Sequence, residues 1–151
     1  MKKVLSTFAA LMICGATMVS LAGDGNGPFA GQIKTIRENK DVNKVADAIA
    51  TIILNYEKAT AEEIVTAYHA FEKLDGSKVD ESKITTIKTE EDKDKFELYM
   101  YLCWERVKAD NPELFKKENA AFMADPKSDG GSLDDVIKMA KALKQIKEEK
   151  R

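Results

Sequence analysis

Cysteine is the first scarcity. The chain holds two, Cys14 within an apolar N-terminal run and Cys103 far downstream. A single thiol outside that run leaves no intramolecular disulfide and no cysteine-built zinc site. The C-x-x-C-H signature of covalently attached haem is missing. Histidine is scarcer still, His69 being the only one, so H-E-x-x-H zinc chemistry is excluded. G-x-x-x-x-G-K-[ST] and G-x-S-x-G are absent as well. A cationic excess is also lacking: 24 Lys and Arg face 26 Asp and Glu, for a formal charge of −2. Overall composition therefore gives no attraction for nucleic acid or anionic lipid.

What is present begins with a leader. Lys2 and Lys3 precede an apolar run from Val4 to about Leu21, and Ser20-Leu21-Ala22 puts small residues at the positions a leader peptidase reads. Residues 1–22 read as a bacterial-type signal peptide, which places the protein in the periplasm or outside the cell. Asp24 to Pro28 reads as a flexible exit, giving residues 23–28 as a linker and 29–151 as one helical domain. An alternative is a lipid anchor through Cys14, although Ile13 occupies a position that favours a small residue. Removing the leader takes the charge from −2 to −4 and leaves no apolar segment of membrane-spanning length.

Periodicity in the remainder is helical almost throughout. Phe29, Ile33 and Ile36 mark a short first helix. Val42, Val45, Ile49, Ile52, Ile53 and Tyr56 recur at three- and four-residue steps, predicting a helix from Val42 to Lys58 that is apolar enough to serve a homodimer. Thr60-Ala61-Glu62-Glu63 is a capping box for a helix carrying Ile64, Val65, Tyr68, Phe71 and Leu74 inward. Asp75-Gly76 should end it, with glycine in the left-handed conformation. Residues 77–88 read as a loop that pins Ile84 and Ile87 and could move as a flap.

The stretch from Lys95 to Val107 is apolar on most sides and predicts a central strut, started by Thr89 and ending near Ala109. Pro112 opens a helix whose apolar face is Leu114, Phe115, Phe122 and Met123. After the linker Asp125 to Gly131, Ser132 and Asp135 cap a last helix lined by Leu133, Val136, Ile137, Ala140, Leu143 and Ile146. The reading is an all-α, single-domain bundle of about five short-to-medium helices. Ala59, Glu63, Ile64 and Ala70 stand fifty residues before Ala109, Glu113, Leu114 and Ala120, so helical hairpins could stack as in a solenoid, though short capped helices produce such matches by chance.

No catalytic set, metal site or cofactor site emerges. His69 reads as a surface or boundary residue and Cys103 as a structural thiol. Asp125, Asp129 and Gly130 fit three positions of a calcium loop, but Lys127 and Val136 occupy ligand positions, which favours a capped linker. The expected function is that of an exported, non-enzymatic module that binds another protein, as an adaptor, inhibitor or chaperone-like factor. The alternative is a carrier of an apolar small molecule or cofactor, because Phe96, Tyr99, Met100, Tyr101 and Trp104 could line a pocket. Tyr99, Tyr101 and Trp104 are the candidate binding residues.

Overall fold

The computed structural model describes residues 27–150. The expected leader, its expected cleavage site and Cys14 lie outside the described residues. Six helices follow in order: α1 (Ala30–Glu38), α2 (Val42–Leu54), α3 (Ala61–Lys73), α4 (Glu90–Asp110), α5 (Pro112–Ala124) and α6 (Leu133–Glu149). No strand occurs among the described residues. They form one helical bundle, with the short α1 added to the five main helices expected.

Side-chain caps set most of the helix starts. Thr60 and Glu63, Thr89 and Asp92, and Ser132 and Asp135 form three reciprocal capping boxes. Asp41 caps α2 and Asn111 caps α5 ahead of Pro112. Two ends differ from expectation. The helix from Val42 stops at Leu54, and Tyr56–Lys58 is a separate 3-10 turn. Asn55 causes the break: its side chain donates to the Thr51 carbonyl at 2.8 Å, while its own carbonyl accepts from the Lys58 amide. Gly76 is not in the left-handed region either. It is buried at the start of a 3-10 turn capped by Asp75, and the helix before it ends in extended backbone at Leu74.

Helix α4 is the centre, packing against α2, α3, α5 and α6. Its buried residues include Phe96, Leu98, Met100, Leu102, Cys103, Trp104 and Val107. Phe96 meets Phe71 of α3 with ring centroids 5.7 Å apart. Ile49, Ile52 and Ile53 of α2 are wholly buried within the chain. The two junctions that match at fifty-residue spacing lie against each other. Ala61 N–H donates to Asp110 at 2.8 Å, Arg106 Nε to the Ala59 carbonyl at 3.0 Å, and Asn111 to Glu62 at 2.7 Å.

The segment between α3 and α4 is held rather than loose. Ile84 and Ile87 are buried, as read from the sequence. Above them the Asp47 carboxylate accepts from Thr85 Oγ1, Thr86 Oγ1 and the Thr86 amide at 2.7–3.1 Å. Asn43 accepts from the Asp80 amide at 2.7 Å. Loop amides that would otherwise need solvent are thus satisfied by α2 side chains.

The backbone at Phe29 is tied to the start of α3. Glu63, 3% exposed, reaches back from α3 to accept from the Phe29 amide at 2.8 Å and the Thr60 amide at 2.9 Å. A Cβ placed on Gly27 would run into that carboxylate, so glycine lets the two approach without displacing Glu63.

Candidate functional site

The three aromatic candidates do not share one surface. Successive helix positions rotate about 100°, which sends Tyr99 and Tyr101 toward opposite sides of α4. Trp104 is buried, its ring edge-on to Tyr68 with centroids 4.8 Å apart. Its indole N–H lies beside the Tyr68 phenol without reaching hydrogen-bond geometry. Tyr101 is half-buried, and burial, with help from Glu97, pushes its phenol upward.

Of the three, Tyr99 lines a groove. It is half-buried, braced edge-on by Tyr56 with centroids 5.1 Å apart. Burial, followed by the charge of Glu57, pushes the Tyr56 phenol up to about 12 and keeps it neutral. Tyr99 and Leu98 contribute to a groove of about 440 Å³ between α4 and the end of α6. Glu91, Asp94 and Lys95 stand on the α4 wall, and Lys144, Lys147, Glu148 and Lys150 on the other. The groove therefore has apolar ground and rims of both charge signs. Its volume falls in the range of ligand pockets, although charged residues outnumber apolar ones along the lining.

Helix α6 departs from the expected inward face. Leu133, Ile137 and Ala140 are buried, whereas Leu143 and Ile146 are 42% and 48% exposed. Met139 is 51% exposed beside them, and Val136 is half-buried. The helix carries two apolar stripes, one seated on α4 and one uncovered. Ion pairs fix the seated side, with Lys108 to Asp134 at 2.7 Å and Lys141 to Glu105. Met123 of α5, expected inward, is also half exposed because it lies at the helix end where packing stops.

His69 acquires partners that sequence distance concealed. Its Nε2 lies 2.6 Å from Glu118 Oε1 on α5, and its Nδ1 lies 3.2 Å from Glu72 one turn away. Glu118 is buried. Hydrogen bonding to Glu118, then to Glu72, raises the imidazole pKa to about 9 against the opposing effect of burial. With a carboxylate on each nitrogen, the ring is a charged clamp between α3 and α5. At neutral pH it has no free lone pair with which to act as a base.

Cys103 is fully buried, and burial pushes its thiol pKa upward. It should therefore resist an aromatic disulfide reagent in the native state and react stoichiometrically once the chain is unfolded in denaturant. Fast labelling of native protein would contradict that burial.

In the calcium-like linker, Asp125 accepts from the Lys127 amide at 2.9 Å as a turn cap, while Asp129 and Gly130 have positive φ. Among the described residues no group of three or more His, Cys, Asp or Glu is placed to hold a metal ion. No helix among them is long and apolar enough to cross a membrane. No protein-family model, curated protein or solved structure matches this chain.

Proposed function

We propose that this chain is an exported helical module that binds another protein through the groove between α4 and α6. The observation that carries the reading is the make-up of that groove. Leu98 and Tyr99 give a partner segment apolar contact, and rims of both signs can fix its register. Tyrosine suits such a position, offering a large apolar ring with a polar tip. Bracing by Tyr56 limits the ordering entropy that contact with Tyr99 would cost.

The carrier reading draws on the same volume. An apolar small molecule would have to sit among seven charged residues at the surface, which favours a protein segment over a wholly apolar ligand.

The test is capture from bacterial envelope extract with the purified chain as bait, beside Asp94→Lys and Tyr99→Ala variants. A stoichiometric partner retained by the wild type and lost by both variants supports the reading. Reproducible absence of such a partner removes it. Native mass spectrometry of the purified chain tests the carrier alternative, which a mass increment from a retained small molecule would favour.

A further inference from the structure

The overall acidity of the chain conceals a local reversal. From Lys138 to Lys150, α6 and its cap carry Lys138, Lys141, Lys144, Lys147 and Lys150 against Glu148 and Glu149. The acids at the start of α6 are already engaged, Asp135 in the capping box and Asp134 with Lys108. Lys141 is held by Glu105. Lys138, Lys144 and Lys147 make no ion pair among the described residues.

The uncovered stripe of Met139, Leu143 and Ile146, with Val136 at its edge, lies along this basic segment. Its positions advance by three and four residues, so the side chains share one side of the helix over roughly 15 Å. At the same pitch, Lys138 falls on one flank of the stripe and Lys147 on the other, while Lys144 continues the seated face along the groove wall. Lysines on both flanks of a convex apolar strip can rest their stems along a plane and raise their ammonium groups to its polar layer. Protein ligand sites are more often concave, whereas this strip lies on the outer side of a helix.

We infer that the outer face of α6 is a docking surface for bilayers rich in anionic lipid, with α6 lying in the headgroup plane and its apolar stripe entering the acyl boundary. Charge complementarity selects this occupant: exposed lysines outside any ion pair among the described residues flank the stripe in a chain whose total charge is −2. Lying on a membrane needs only this amphipathic face and no spanning helix. The inference goes beyond the groove-binding reading: its apolar residues Met139, Leu143 and Ile146 do not line the groove, whereas Lys147 borders both.

The experiment is co-sedimentation of the purified chain with vesicles of phosphatidylcholine alone or mixed with phosphatidylglycerol. Wild type, Leu143→Glu/Ile146→Glu and Lys138→Glu/Lys147→Glu are compared in the same chain, so any contribution from apolar residues 4–21 is common to all. All four substituted positions are exposed, and unchanged circular dichroism and thermal midpoints would show that the fold is kept. Wild-type partitioning should be at least about tenfold higher on the anionic vesicles. It should fall in 0.5 M salt, as screening of exposed charges requires. Each double variant should lose at least about tenfold in partitioning.

Equal partitioning onto both vesicle types would overturn the inference, as would wild-type binding by the Leu143→Glu/Ile146→Glu variant. So would failure to bind anionic vesicles while these residues capture a soluble acidic protein, which would assign the stripe to a protein partner.

Discussion

Replacing Glu63 with alanine should lower the unfolding free energy by about 3 kcal/mol. The side chain is almost wholly buried and accepts from two backbone amides, Thr60 at the start of α3 and Phe29 thirty-four residues earlier. Truncation strands both donors, each costing about 1–3 kcal/mol when left without a partner. It also abolishes one half of the capping box. Thr60→Ala, which removes only the other half, should cost about 1 kcal/mol. Glu63→Gln should fall between, because its carbonyl can still accept while its amide group opposes one donor. Urea unfolding measures all three. A loss below about 1 kcal/mol for Glu63→Ala would mean that the N-terminal segment finds other partners. Gly27→Ala pushes a methyl group into the same carboxylate, so its cost should shrink in the Glu63→Ala background.

Stability should also fall as pH rises through about 9, with His69 responsible. The imidazole is protonated more tightly in the folded chain than at its ordinary 6.5, so the folded state holds an extra proton between the two values. The stabilisation is complete below pH 6.5 and is lost progressively toward pH 9 and above. A displacement of this size corresponds to about 3 kcal/mol. Denaturant unfolding of the wild type and His69→Gln across pH 6 to 10 isolates the contribution, since other titrating groups are common to both. The difference between the two should narrow as pH rises. Glu118→Gln should flatten much of the wild-type dependence, because Glu118 makes the shortest contact to the ring at 2.6 Å. A wild-type curve parallel to that of His69→Gln would show that the clamp does not form.

Local chemistry made the scaffold readable. Thr60 with Glu63 and Ser132 with Asp135 announce helix starts because a cap and its partner are only three residues apart. The central position of α4 followed from apolar residues on most of its circumference, which only several packed neighbours can cover. Asn55 was less legible: the apolar period runs through it to Tyr56, while its side chain diverts the backbone into a 3-10 turn.

The candidate site was harder to see. Glu118 lies 49 residues from His69, and only the docking of α5 beside α3 brings them together. Glu63 is legible as a cap from Thr60 three residues before it, but its second bond, to Phe29, is a long-range contact without a local pattern. Tyr99, Tyr101 and Trp104 are close in sequence, yet rotation about α4 gives them different neighbours. Leu143 and Ile146 satisfy the same helical period as Leu133 and Ile137. Periodicity records that a residue is apolar, and says nothing of whether another helix arrives to cover it.

Trp104 gives the molecule a built-in optical reporter. It is the only tryptophan in the chain, and it is 3% exposed at the contact between α4 and α3. Its indole emission should be shifted to the blue in the native state, since water cannot relax around the excited ring. Loss of the α3–α4 contact should move that emission to the red, without any added dye. Because the indole is packed edge-on against Tyr68, emission from this one side chain should report water that enters between α3 and α4.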